Sequence, residues 1–260
     1  MLAEERRSRI LDVVNERGSV SVNDLHRRLK VSRETIRRDI TKLAEEGRLR
    51  RTHGGALALS HSEPVFEDRM TQNAGGKRAI GLAAATLVAD DMTVLIDSGT
   101  TTAYLAEGLA QRRRLTVYTN DIRIAQQLAG RNDNRVILTG GTYLSAESAL
   151  TGADAVLMIR NYFPDIAFVG VSAVSSDPAI MDYTREGADM RAAMLAQAKT
   201  KIVLADHTKL ERTAPVRILG LEEVDTFVTD VPLSPAMQKG FAGLSADVVI
   251  ASEVDLDDGW

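Results

Sequence analysis

Ser32 to Leu49 reads SRETIRRDITKLAEEGRL, and the organisation of the first part of the chain turns on it. Ser32 is suited to cap a helix, and Ile36, Ile40 and Leu43 recur at helical spacing as an apolar stripe. Arg33, Thr35, Arg37 and Arg38 project from the remaining surface. One side can be buried and the other can meet phosphates. Any solvated amphipathic helix carries such a stripe, so the meaning of this one rests on what flanks it.

Upstream, residues 3–17 read as a first helix with Ile10, Leu11 and Val14 on one side and Gly18 as its stop. Ser19 to Val22 alternates as a short strand would. Asn23 then caps a brief second helix that turns Leu25 and Leu29 inward. Two short helices joined by a tight turn, the second rich in exposed basic residues, form a helix-turn-helix. Downstream, Gly47 ends the third helix, residues 48–51 alternate as a strand, and Gly54-Gly55 permits a tight reversal, which predicts the hairpin of a winged helix. The aperiodic stretch around Pro64 places a connector near residues 57–65. The resulting division is a winged helix at 1–56, a linker and lead-in segment at 57–76, and a larger domain at 77–260.

Charge follows that division. The net charge is −4, yet the first sixty residues hold 14 Lys+Arg against 9 Asp+Glu, net +5, whereas the rest hold 18 against 27, net −9. Positive charge that can face phosphate is confined to the first module. The chain contains no cysteine, which excludes disulfides and thiolate chemistry and fits a reducing cytoplasm. No apolar run approaches the roughly 20 residues that span a bilayer, so neither secretion nor a membrane partner is expected.

From Lys77 onward helices and strands alternate. Helices are expected at 77–88, 102–113, 122–129, 153–162 and 186–199. Strands are expected at 93–96, 115–119, 135–138, 166–169, 201–205, 226–229 and 248–251. Short β-branched runs separated by helices predict an α/β domain with a mainly parallel sheet covered on both faces.

Arginines on the outer side of a recognition helix neutralise phosphates for affinity and read guanine edges for discrimination. Arg38 lies opposite the apolar stripe with Thr35 and Arg37 on its flanks. Arg50 and Arg51, with His53 beside them, belong to the wing. The spacing Arg6, Ile10, Val14, then Ser32-x-x-Thr35-Ile36-Arg37-Arg38-Asp39-Ile40, Gly47 and Arg51-Thr52-His53-Gly54-Gly55-Ala56 resembles the DeoR family of bacterial transcriptional regulators. The resemblance implies that Ser32, Arg33, Thr35, Arg37 and Arg38 face the groove of double-stranded operator DNA. Asp39 is read as structural, since a carboxylate amid arginines orients them but repels phosphate.

In the second module Asp97-Ser98-Gly99-Thr100-Thr101-Thr102 follows a predicted strand and opens a helix. Backbone N–H groups at such a turn, with small hydroxyls and a glycine admitting close approach, make an anion cradle. An ordinary hydroxyl-capped turn has the same composition. Neither GxxxxGK[ST] nor GxGxxG occurs, so no nucleotide cofactor is expected. Thr119-Asn120, Gly140-Gly141, Gly170, and Asp206 with Lys209 each follow a predicted strand, and ligands of open parallel sheets bind beyond those carboxyl ends. DSGTTT, Thr119-Asn120, LTGG ending at Gly141, the helix from Glu186 and DHTK ending at Lys209 are similar to the sensor domain of the same family, which resembles ribose-5-phosphate isomerase in fold. Thr208-Lys209 stands where many relatives have Ser-Lys. The resemblance implies a phosphorylated sugar or polyol effector, with Ser98 to Thr102 on the phosphate and Asp97, Asn120, Glu186, Asp206 and Lys209 near the carbon skeleton.

A phosphosugar isomerase is the alternative, because Asp97, Glu186, Asp206 and Lys209 include the residue types needed to move a proton beside a carbonyl. A fused winged helix suits a sensor better than a metabolic enzyme, so no catalytic residue is assigned. The histidines, His26, His53, His61 and His207, show no metal-binding spacing, and no metal is expected. Paired operator half-sites call for a homodimer or homotetramer.

Overall fold

The computed structural model describes residues 3–17, 19–52, 54–58 and 65–251. Gly18, His53, His61 and Pro64, which the sequence singles out, lie outside these described residues. The chain divides into two compact units, Met1–Pro64 and Val65–Trp260.

The first unit runs α1 (Ala3–Arg17), β1 (Ser19–Ser21), α2 (Val22–Leu29), α3 (Arg33–Glu45), β2 (Leu49–Arg51) and β3 (Gly55–Ala58). Ile10, Val14, Leu25, Ile36, Ile40, Leu43 and Leu49 fill one core, as their helical spacing predicts. The three strands form a small antiparallel sheet in the order β1-β3-β2. Gly55 is required there: a Cβ would stand 2.0 Å from the Val20 carbonyl oxygen. Helix α2 begins one residue before the expected cap. Ser21 rather than Asn23 caps it, accepting from the Asp24 amide at 3.1 Å. Helix α3 is capped as expected by Ser32, whose hydroxyl accepts from the Thr35 amide at 3.1 Å.

The second unit comprises α4 (Phe66–Thr71), α5 (Ala74–Ala85), β4 (Thr93–Ile96), α6 (Thr100–Gly108), β5 (Thr116–Thr119), α7 (Ile122–Leu128), β6 (Arg135–Leu138), β7 (Thr142–Leu144), β8 (Ala149–Thr151), α8 (Ala153–Ile159) and β9 (Ile166–Gly170). It continues with β10 (Ala173–Val174), β11 (Ala179–Asp182), α9 (Arg185–Gln197), β12 (Thr200–Leu204), β13 (Val216–Gly220), β14 (Thr226–Thr229), α10 (Pro235–Phe241) and β15 (Asp247–Ile250). Seven strands form a parallel sheet in the order β15-β14-β12-β9-β4-β5-β6. Alternate residues of each strand serve opposite cores. Val94, Ile96, Ile166 and Phe168 join one, whereas Leu95, Ala167 and Val169 join the other. This two-sided burial explains the uninterrupted apolar runs in the sequence.

The chain builds outward from β4 to β5 and β6, then returns to β9 on the other side of β4 and continues to β12, β14 and β15. Strand order therefore reverses between β4 and β9, the position at which open parallel sheets bind ligands beyond the carboxyl ends of their strands.

Three parts of the expected plan differ. Residues 57–76 are not one connector: Ala58 pairs with Leu49 across the wing, while Phe66 and Arg69 are buried in the second unit. The helix expected at 77–88 starts earlier because Asn73, at φ 51°, turns the chain into α5. The antiparallel sheet β10-β11-β13, the hairpin β7-β8 and helix α10 carry no expectation, because they fall outside the regular alternation of helix and strand that the sequence displays. Among the described residues no helix is long and apolar enough to cross a membrane.

Candidate nucleic-acid and effector sites

Burial of Ile36, Ile40 and Leu43 fixes which way the rest of α3 points. Ser32, Arg33, Arg37 and Arg38 are exposed, and Thr35 is partly so. Glu34, Arg37, Arg38, Thr41, Lys42, Glu45 and Arg51 line an open concavity. Arg51 of the wing donates to Thr41 Oγ1 at 3.1 Å, which ties β2 to the exposed side of α3. Arg50 is half-buried beside it in the same strand. The Arg38 side chain is 80% exposed and lies 3.4 Å from Glu34, so its guanidinium is held only by a weak surface pair. Lys42 shares the concavity and was not singled out from the sequence. Its signal was its place four residues after Arg38 on the same helical face.

Asp39 is excluded from this surface. It is buried against Arg6, whose Nη2 donates to Oδ1 at 3.2 Å, and this hydrogen bond holds the guanidinium above its usual pKa. The pair joins α1 to α3.

In the second unit the reversal of strand order gathers several expected residues. Asp97, Ser98 and Gly99 form the turn after β4, and Gly99 caps α6. At φ +155° Gly99 occupies backbone that L side chains rarely adopt. The first-turn amides of α6 lack intrahelical acceptors by geometry and form an electropositive end. The side chains of Thr100, Thr101 and Thr102 are buried, and Thr102 donates its hydroxyl to the Gly99 carbonyl at 3.0 Å. The less buried polar groups at this turn are therefore the backbone and Ser98, not the three threonine hydroxyls.

Asn120, at the end of β5, is 2% exposed and organises the turn. Its Oδ1 accepts from the Ser98 amide at 2.9 Å, and its Nδ2 donates to the Leu150 carbonyl at 3.2 Å. Gly141 is set by close packing, whereas Gly140 is exposed with open space where a Cβ would stand. The Gly140 amide faces Met158 Sδ at 3.3 Å, and a Cβ on Gly141 would stand 2.4 Å from the Thr151 carbonyl. Glu186 lies exposed on the first turn of α9.

The group that meets Asp97 is Arg191, later in α9. Arg191 Nε donates to Asp97 Oδ2 at 2.8 Å, and its Nη1 pairs with Asp182 at the end of β11. Both carboxylates are almost fully buried. Burial raises the Asp97 carboxyl to about 6; Arg191 opposes the rise and the neighbouring charge of Asp182 adds to it. Neither Arg191 nor Asp182 stood out in the sequence, because their partnership spans α9, β11 and the β4 turn.

Asp206 and Lys209 sit in a short turn after β12. Strand β12 is separated from β4 by β9, about 10 Å across two strand spacings. Asp206 Oδ1 accepts from the Thr208 amide at 3.0 Å and from Asn73 at 3.2 Å. Its Oδ2 is buried without a hydrogen-bond partner among the described residues. His207 Nδ1 lies 2.7 Å from Asp230. The Asp230 carboxyl stays below its usual range: burial works to raise it, and hydrogen bonds from Asn73 and His207 outweigh that. The expected effector residues thus fall into two networks, one on Asp97, Ser98 and Asn120, the other on Asp206. Among the described residues no cluster of His, Asp or Glu is arranged to hold a metal.

Two family descriptions match the chain: a DeoR-like helix-turn-helix domain over residues 6–62 and a DeoR C terminal sensor domain over residues 72–231. The chain is 32% identical to the HTH-type transcriptional repressor CsqR of Escherichia coli (strain K12), with 95% of each chain covered. It is 30% identical to the HTH-type transcriptional regulator GolR of Listeria innocua, over 96% of this chain and all of the other. The glycerol-3-phosphate regulon repressor of E. coli K12 is 30% identical, over 89% of this chain and 92% of its own. Ribose 5-phosphate isomerase A of Methanocaldococcus jannaschii overlaps 53% of this chain and 55% of its own at 17% identity and a TM-score of 0.40.

Proposed function

The chain belongs to the DeoR family of transcriptional regulators, and on that footing we propose that it represses a carbohydrate or polyol catabolic operon and leaves its operator when a phosphorylated sugar or polyol binds. The observation that carries the DNA reading is the outer face of α3, where Arg33, Arg37 and Arg38 stand exposed over a buried apolar stripe, with the wing arginine Arg51 alongside. In this reading Ser32, Arg33, Thr35, Arg37 and Arg38 meet the major groove, and Arg50 and Arg51 the flanking backbone. Two copies, as a homodimer or within a homotetramer, engage paired half-sites in the cytoplasm.

The effector sits in the crevice where strand order reverses. Its phosphate lies on the Ser98–Gly99 turn and the first amides of α6, and its hydroxyls reach Asn120 and the carboxylates beyond. Asp97 orients Arg191 within this crevice. Relatives named as regulators point to a non-enzyme, and the isomerase-like residue types serve binding here. Occupancy favours a different disposition of the connector and lowers operator affinity by a coupling of about 1–3 kcal/mol.

Two measurements test this. Selection from random duplexes by the full chain is expected to enrich a paired half-site, and enrichment of no sequence overturns the DNA reading. Thermal-shift screening against phosphorylated sugars and polyols is expected to raise the melting point with at least one, since a ligand at 100 times its Kd contributes about 2.7 kcal/mol. That ligand must also weaken the selected complex in a gel-shift titration, and no weakening by any of the panel overturns the repressor-inducer scheme.

A further inference from the structure

Residues 66–73 follow the connector in sequence, and neither DNA reading nor ligand reading accounts for how they are held. Helix α4 lies beside α6, the helix that opens on the Gly99 turn. The segment 66–73 is tied on two sides, to the β7-β8 hairpin and to the turns after β12 and β14. Toward β5 and β6, buried Arg69 forms an ion pair with Glu147, in the turn between β7 and β8. Arg123 places its guanidinium 3.3 Å from the Phe66 ring centroid while donating to the Glu147 carbonyl. Toward β12 and β14, Asn73 donates to Asp230 at 2.8 Å and to Asp206 at 3.2 Å. Lys77, 1% exposed, donates to the Arg69 carbonyl and links the two ends.

A six-residue helix is too short to persist alone and survives here through these ties. Burying two cations is costly unless they are paired, so a mere spacer has no need of Arg69 and Lys77 in these positions. The Asn73 tie ends on the candidate effector residue Asp206, and the Glu147 tie ends on a turn next to Asn120. The turn that holds Glu147 runs into β8, where the Leu150 amide donates to the Asn120 carbonyl at 2.8 Å; Asn120 in turn holds Ser98. Asp206 uses one oxygen on Asn73 and the Thr208 amide, and its other oxygen has no hydrogen-bond partner among the described residues.

We propose that residues 66–73 are the output strap of the sensor, with Arg69, Asn73 and Glu147 as positioning residues that pass the state of the crevice to the segment joining it to the DNA-binding unit. The inference rests on the crevice being the effector site, but its test needs no ligand. Hydrogen exchange is followed on the full chain in the wild type, Asn120→Ala, Glu147→Gln and Asn73→Gly; glycine tolerates the positive φ of Asn73. Asn120→Ala is expected to speed exchange of the Arg69, Gln72 and Lys77 amides by about 5- to 150-fold. Glu147→Gln and Asn73→Gly are expected to speed exchange at Ala103 and Leu150 in return. Either tie alone suffices if one variant fails to fold. Changes confined to the mutated element in every folded variant, or acceleration spread equally to amides remote from both ties such as those of β15, overturn the proposal. If the wild type selects no duplex and binds no sugar phosphate, the regulator reading fails while the exchange data still decide the strap.

Discussion

Replacing Arg191 by Met tests whether the Asp97–Arg191–Asp182 cluster is the electrostatic centre of the crevice. The guanidinium is the cation that the structure places between two carboxylates, with side-chain exposures of 13% for Arg191, 1% for Asp97 and 3% for Asp182. Removing one partner of a buried pair costs about 3–5 kcal/mol, because the charge left behind stays desolvated. For a unit of this size each kcal/mol moves the midpoint by about 2–4 °C, so the sensor transition should fall by about 10 °C at pH 8. The penalty should also depend on pH. A carboxyl whose folded pKa is raised, here from 3.8 to about 6, binds its proton more readily in the folded state. The folded state therefore keeps its full stability at low pH and loses it as pH rises from about 4 through 6. Arg191 works to lower that folded pKa, so in its absence the loss extends to higher pH. Calorimetry at pH 5 and pH 8 should show a small deficit at the first and the full deficit at the second. Asp97→Asn in the Arg191→Met background should recover part of the loss at pH 8. A deficit equal at both pH values, or below about 1 kcal/mol at pH 8, refutes the assignment.

Three further outcomes follow from the DNA-binding unit. Arg38→Ala should weaken the selected duplex by about 10- to 100-fold, as expected for loss of a bidentate base contact, while the melting points of both units stay unchanged; unaltered affinity in a fluorescence-anisotropy titration counts against the orientation of α3. Gly55→Ala should lower the stability of the winged helix by at least about 1–3 kcal/mol, because the new Cβ meets the Val20 backbone, and near-UV and far-UV melts should both report it. Asp39→Ala should cost about 1.5–3 kcal/mol by releasing Arg6, and exchange protection of α1 should fall with that of α3. In that variant the salt dependence of DNA binding should keep its slope, since Asp39 does not reach the phosphates.

The DNA-binding half was legible because each of its features is local. The cap at Ser32, the stripe Ile36, Ile40 and Leu43, and the glycine pair before Ala56 act over a few residues, and their periodicity states which side is buried. Asp39 was readable as structural on the same ground, since Arg37 and Arg38 precede it directly and Ile36 and Ile40 of the apolar stripe flank it. The small misplacement of the α2 cap is a choice between Ser21 and Asn23, two residues of equal capping ability, and the pairing of β1 with β3 settled it in favour of Ser21.

The effector half was legible as a set of strand ends and not as a site. Apolar runs flanked by helices dictated the parallel sheet, and the DSGTTT turn announced itself by composition. Which strand ends meet depends on strand order, and β9 inserting beside β4 brings Arg191 and Asp182 to Asp97 across nearly a hundred residues while setting Asp206 two strands away. The same long-range order gives Arg69 and Asn73 their partners. Local spacing and capping are properties of consecutive residues, so the sequence by itself determined the helices, the strands and the arginine face of the winged helix. Pairings of buried charges depend on which elements the sheet makes neighbours, and for these the folded chain alone held the answer.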